Sequence, residues 1–280
     1  MSPHRVEIRV EDHVATVTLA RPDKHNALDL PMFEQIAAAA ERLACEPGVR
    51  AVVLCGEGPS FCSGLDVAGI MAGGRGLGGL TDRVEGESPN LFQRAAYDWV
   101  RMPMPVVAAV HGNCFGGGLQ IALGADIRIA APDARLSVME SRWGLIPDMA
   151  ITRTLPRLVS IDVAKELTWT GRIFSGEEAR ALGVVTRVAA EPLAAATELA
   201  AEIAARSPDA VRRAKCLYDQ SWTASARDSL ALEAELQLEL IGSPNQLAAV
   251  AASVNREPVQ FEDPAPAGLA ALTRAGEPPR

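Results

Sequence analysis

The run Pro105-Val106-Val107-Ala108-Ala109-Val110 carries no polar side chain, and it leads directly into His111-Gly112-Asn113-Cys114-Phe115-Gly116-Gly117-Gly118. An unbroken apolar run of that length, ended by glycines, reads as a buried strand. The glycine-rich turn behind it then opens a helix. Arg50 to Cys55 (RAVVLC) and Asp126 to Ala130 read as two further buried strands. Helical segments separate the three, so the first two-thirds of the chain reads as α/β with much parallel pairing.

The rest of the chain fills in around that frame. Val6, Ile8 and Val10, then Val14, Thr16 and Thr18, alternate across Glu11-Asp12-His13 and predict a hairpin. Asp29-Leu30-Pro31 predicts a helix start, because Asp can cap and proline is tolerated in the first turn; the helix runs to about Ala44. Residues 171–188 read as a short helix and then a strand. From Leu193 onward helices are expected over 193–206, 208–220, 225–241 and 245–253, punctuated by Ser207-Pro208 and Ser243-Pro244. Leu230, Leu232, Leu236, Leu238 and Leu240 suggest a buried helix face. The stretch from residue 263 to 280 is rich in proline and glycine and reads as a loose tail. Gly73 to Gly79 (GGRGLGG) superficially resembles a dinucleotide fingerprint, but no strand leads into it. A loop, able to act as a lid, is the better reading.

Composition narrows the function classes. The 280 residues hold 27 Lys plus Arg against 35 Asp plus Glu, a formal charge of −8. That balance argues against a nucleic-acid binder working by general charge attraction. Five cysteines, an odd number without a CxxC pair, predict neither a disulfide framework nor a zinc site. The four histidines show no HxxxH or HExxH spacing, so no metal is expected. Residues 1–11 carry charges and lack the apolar run of a signal peptide, and no apolar stretch is long enough to span a membrane. A cytoplasmic protein is expected.

Three segments carry the chemistry: Phe61-Cys62-Ser63-Gly64-Leu65-Asp66 after the RAVVLC strand, His111 to Gly118 after the apolar run, and Glu140 to Asp148 (ESRWGLIPD). A strand, a glycine-rich turn and a helix aim free backbone N–H groups at an anion. Two such turns from neighbouring strands can place two donors around one oxygen, which is the geometry of an oxyanion hole.

With these segments in this order, and with Arg21-Pro22, Asn26-Ala27-Leu28 and Thr170-Gly171-Arg172 around them, the chain resembles the crotonase (enoyl-CoA hydratase/isomerase) superfamily over roughly residues 5–255. The resemblance implies a crotonase-like α/β spiral of repeated ββα turns over residues 1–192. A helical oligomerisation region would follow over 193–262, building a homotrimer or a homohexamer. It implies an acyl-CoA substrate, with coenzyme A as part of that substrate and no separate cofactor. The backbone N–H groups of Leu65 and Gly117 would form the oxyanion hole. Arg21, Lys24, Ala27, Ser63 and Asp66 would contact CoA.

The acid–base positions depart from the usual hydratase pattern. Hydratases of the family carry two catalytic glutamates, and the two positions here are Gln120 and Glu140. A glutamine can hold a water but cannot take its proton. Asp148, eight residues after Glu140, resembles the Glu/Asp pair of dienoyl-CoA isomerases. The resulting expectation is a double-bond isomerase of fatty-acid-type metabolism, with Glu140 moving a proton and Asp148 assisting. Trp143, Leu145, Ile146 and Met149 are expected to surround these carboxyls and raise them. The alternatives are an enoyl-CoA hydratase with Glu140 as its sole catalytic carboxylate and a water held by Gln120, and a non-catalytic CoA-binding scaffold. Plainer roles are open too: an ion pair from Glu140 to Arg142 or Arg153, and a helix cap by Asp148 ahead of residues 149–158. Cys62 and Cys114 read as structural.

Overall fold

The computed structural model describes residues 4–67, 69, 83 and 89–269. The GGRGLGG segment, most of the loop around it and the expected lid lie outside the described residues. The chain opens with β1 (Val6–Glu11) and β2 (Val14–Leu19), paired antiparallel from Val6 opposite Leu19 to Glu11 opposite Val14. Asp12 and His13 make the turn at positive φ, the mirror-image geometry that matches strand twist in tight hairpins. Helix α1 (Leu30–Ala44) is capped by the Asp29 carboxylate, which accepts from the Met32 N–H.

Strand β3 (Ala51–Gly56) lies parallel to β2 and to β4 (Val106–Val110), with α2 (Leu91–Val100) between them in sequence. The β4 chain continues through Gly112 into β5 (Asn113–Phe115) and then α3 (Gly117–Gly124). Next come β6 (Ile127–Ala130), β7 (Arg135–Ser137), a 3-10 turn (Glu140–Trp143) and the one-turn helix α4 (Ile151–Thr154). Helix α5 (Ile161–Thr170), β8 (Phe174–Ser175), α6 (Gly176–Leu182) and β9 (Arg187–Val188) complete the α/β part. The larger sheet has the order β1-β2-β3-β4-β6-β9, and a smaller one has the order β5-β7-β8.

Both faces of the central strands are buried. Val52, Leu54, Val106, Ala108 and Val110 pack with α1, α2 and α3 in the main core. The alternate residues Ala51, Val53, Cys55, Val107 and Ala109 pack under α7 (Pro192–Ala204) through Ala196, Leu199 and Ala200. Period-two side-chain alternation on a two-sided strand accounts for the unbroken apolar runs.

Helices α8 (Pro208–Ser221), α9 (Ala226–Leu240) and α10 (Pro244–Asn255) follow. Helix α9 corrects the expected buried face. Leu236 is buried and Leu232 and Leu240 are half-buried, a stripe at i, i+4 and i+8. Leu230 and Leu238, with Ile241 just past the helix, are exposed on the opposite side, at i, i+8 and i+11. Residues spaced by two on a helix point to opposite sides, so five alternating leucines form two stripes rather than one.

The loose tail expected from residue 263 does not hold over 263–269. Arg50 donates to the Asp263 carboxylate at 2.8 Å and to the Phe261 carbonyl at 2.9 Å, and Leu269 is buried in the main core. An arginine at the start of a central strand supplies the anchor. Residues 270–280 lie outside the described residues. None of the described helices is long and apolar enough to cross a membrane.

Candidate active site

The two glycine-rich turns meet edge to edge. Cys62 and Cys114 form a parallel bridge: the Cys62 N–H donates to the Asn113 carbonyl at 3.0 Å, and the Phe115 N–H to the Cys62 carbonyl at 3.0 Å. A second bridge joins Leu28 and Leu65, where the Leu28 N–H donates to the Gly64 carbonyl and the Asp66 N–H to the Leu28 carbonyl. Leu28 thus uses the residues on either side of Leu65, and the N–H of Leu65 itself points the other way. Gly117 is the first residue of α3, where N–H groups lack intrahelical acceptors. Among the described residues neither the Leu65 nor the Gly117 N–H has an acceptor.

Two glycines hold this contact together. Gly64, at φ +91, lies so close that an added Cβ would stand 2.8 Å from the Phe115 carbonyl oxygen and 3.7 Å from the Gly117 nitrogen. Gly116 caps α3 at φ 52, ψ −120, a conformation that side chains avoid. Its missing Cβ would also stand 3.3 Å from Glu140 Oε1, so the carboxylate lies against the helix start.

Glu140 opens the 3-10 turn after β7. Its Oε1 accepts from Gln120 Nε2 at 2.6 Å, while its Oε2 is buried without a hydrogen-bond partner. Among the described residues it makes no ion pair, so the pairing with Arg142 or Arg153 does not occur. Burial raises its carboxyl above the usual glutamate range, and neighbouring Asp148 raises it further, against the lowering effect of Gln120 and nearby backbone N–H groups. Asp148 keeps one side open to water, yet the desolvation it suffers still raises its carboxyl. It does not cap a helix: α4 starts later, behind Ala150 in the left-handed region, with no side-chain cap.

The expected apolar wall is different. Trp143, Leu145 and Ile146 are exposed, and only Met149 is buried. Its sulfur and Leu28 Cδ1 close over Gly117, each 2.9 Å from where a Cβ on that glycine would stand. A 3-10 turn ending at Gly144 in the left-handed region swings the intervening side chains outward.

The expected CoA-binding residues separate into two kinds. Arg21 turns inward: its guanidinium donates to the Ala27 carbonyl at 2.9 Å and to the Asp66 carboxylate at 2.9 Å, and lies 3.6 Å from Asp29. Enclosed by two carboxylates, it braces the turn and offers no free charge to a ligand. Asp66 is held low in pKa by the Gly69 N–H and by Arg21. The Ala27 and Ser63 N–H groups are also committed, to the Lys24 and His25 carbonyls. Lys24 is exposed at the rim. Cys62 and Cys114 are fully buried, and desolvation pushes the Cys62 thiol up to about 12, which fits structural roles. His111 is held through Nε2 against the Gly58 carbonyl.

Asn26 has a larger part than its place in a motif suggests. Fully buried at φ 55, it accepts from the Arg21 N–H and donates to the Glu57 and Ser60 carbonyls. It ties the first turn to the segment leading into Leu65. Asparagine between two turn-forming stretches, with its tolerance of positive φ, is the signal that could have marked it. Among the described residues no group of three or more His, Cys, Asp or Glu side chains could hold a metal ion.

Two parallel-strand turns converge on unpaired N–H groups beside a raised carboxyl, within a crotonase-like α/β fold. A model of the enoyl-CoA hydratase/isomerase family matches residues 9–264, and the chain belongs to that family. It is 32% identical to the "Probable enoyl-CoA hydratase" of Bacillus subtilis (strain 168), over 92% of this chain and 98% of that one. It is 35% identical to the mevalonyl-coenzyme A hydratase SIDH of Beauveria bassiana, over 72% of this chain and 73% of that one. The crystal structure of an enoyl-CoA hydratase from Bacillus anthracis superposes with a TM-score of 0.84 at 28% identity, covering 92% and 99% of the two chains.

Proposed function

We propose that this chain is an acyl-CoA double-bond isomerase. One observation carries the reading: Glu140 presents a buried, unpartnered Oε2 against Gly116 at the start of α3, and the position that would hold a second carboxylate is a glutamine. The thioester carbonyl oxygen accepts from the Leu65 and Gly117 N–H groups. One such donor contributes roughly 3 kcal/mol once negative charge develops on that oxygen. Glu140 Oε2 takes a proton from the carbon next to the thioester, the electrons spread into a dienolate, and the same carboxyl returns a proton farther along the chain. Asp148 assists at that far end. A proton shuttle needs no activated water, so one raised carboxylate suffices.

The second reading is an enoyl-CoA hydratase, favoured by the hydratase names of the relatives. Ultraviolet assays of the purified protein with 2-enoyl-, 3-enoyl- and 3,5-dienoyl-CoA separate the two. Turnover of a 3-enoyl or dienoyl substrate supports isomerisation, and hydration of 2-enoyl-CoA alone overturns it. The outward stripe of Leu230, Leu238 and Ile241 supports assembly with further copies of this chain, as a trimer or a pair of trimers, which light scattering tests.

A further inference from the structure

Gln120 is buried, and both ends of its side chain are in use: Oε1 accepts from the Met149 N–H at 2.8 Å, and Nε2 donates to Glu140 Oε1 at 2.6 Å. The backbone N–H can only donate, so the Gln120 oxygen must face Met149 and its NH2 must face Glu140. That orientation demands an acceptor at Glu140 Oε1. Gln120 also sits three residues after Gly117 on α3, on the same side one turn along, so one rigid helix carries both an oxyanion donor and this amide.

We infer that Gln120 is a positioning residue that locks one oxygen of Glu140 and leaves Oε2 as its single proton-accepting atom, while tying that carboxylate to the 148–149 turn. The inference deepens the isomerase reading and rests on it for its catalytic meaning. At 2.6 Å the amide and the carboxylate touch, so no water bridges them. Gln120 therefore clamps the base directly, through one N–H of its amide. It also stabilises the charged carboxylate against burial, keeping Glu140 available as a base.

Few other charges face Glu140. Asp148 on the following turn opposes its ionisation. Helix α3 carries no titratable side chain. Arg142, on the same 3-10 turn, lies against Gly171, and Arg153 on α4 makes no ion pair with Glu140. On α5, Asp162 is exposed, Lys165 lies over the Trp169 ring and Glu166 pairs with Arg172. The Gln120 donor is the one polar side chain bonded to this carboxylate among the described residues.

The test follows Glu140 itself. Its carboxyl stretch is identified by infrared difference spectra as the band lost in Glu140→Gln, and it is titrated in the wild-type protein, in Gln120→Met and in Gln120→Glu. Removing the donor raises the Glu140 midpoint by about one pH unit, a tenfold change in proton affinity. Gln120→Glu keeps the shape and the bond from Met149 but adds a charge, and raises it further. The acid limb of the kcat/KM profile on the substrate that turns over moves by the same amount, with kcat falling more than KM rises. Unmoved midpoints in either folded variant overturn the inference, and Gln120→Glu decides should Gln120→Met fail to fold. If no CoA thioester turns over, the isomerase reading fails, while the infrared titration still decides the clamp.

Discussion

Helices α1 and α9 each run fifteen residues, yet they end in opposite environments. Helix α1 buries Met32, Phe33, Ile36, Ala37, Ala39, Ala40, Leu43 and Ala44, while α9 buries only Leu236. Helix α1 presents one apolar stripe, and its own sheet and α2 fill it, down to the edge-to-face contact of Phe33 with Phe92 at 4.8 Å. Helix α9 presents two stripes and its own chain fills one. The surroundings of α1 are thus closed by the chain itself, whereas α9 keeps apolar surface in reserve, as do Trp143, Leu145 and Ile146 on the turn after Glu140.

This contrast can be broken at either end. The largest expected effect is on chemistry: Glu140→Gln lowers turnover by about 10³-fold with the fold intact, measured by initial rates beside circular dichroism. A loss below tenfold would move the site elsewhere. Phe33→Ala, in the closed region, is expected to cost ~3–5 kcal/mol in urea unfolding. Gly64→Ala forces a Cβ onto the Phe115 carbonyl at a positive φ. It is expected to cost about 1–3 kcal/mol and to lose turnover beyond what stability explains.

A pH comparison sharpens the picture further. The Glu140 carboxyl is raised in the folded chain, so the native state holds that proton more tightly than the unfolded state does. The stability this contributes is full below the unfolded value of about 4.3 and is lost as pH rises through the folded value. Glu140→Gln therefore melts higher than the wild type at pH 8 and close to it at pH 4, by differential scanning calorimetry. The smallest effect belongs to the open stripe: Leu238→Ser changes the stability of the single chain by less than about 0.5 kcal/mol. It is expected to weaken association in light scattering. A large loss in the isolated chain would show that α9 is as closed as α1.

Much of the fold is legible in the sequence, because short-range rules write it. The apolar runs at 51–55 and 106–110 become the two-sided central strands, and Asp29 caps α1 as its residue type demands. Glycines at 64 and 116 to 118 mark the turns that bring Leu65 and Gly117 together. The site's wiring is less legible. Arg21 reads as a free basic residue until two carboxylates from later in the chain enclose it. Trp143, Leu145 and Ile146 read as a wall around the carboxyls until a left-handed glycine turns them outward.

What the sequence determined by itself is which elements form and which residue types stand at the candidate site: Gln at 120, Glu at 140, Asp at 148. What only the tertiary structure decided is whom each of them faces. Gln120 meets partners 20 and 29 residues away, and that choice depends on how α3 seats against two later turns. Local periodicity and turn chemistry act over a few residues, whereas the partner of a buried amide is set by packing across the whole core.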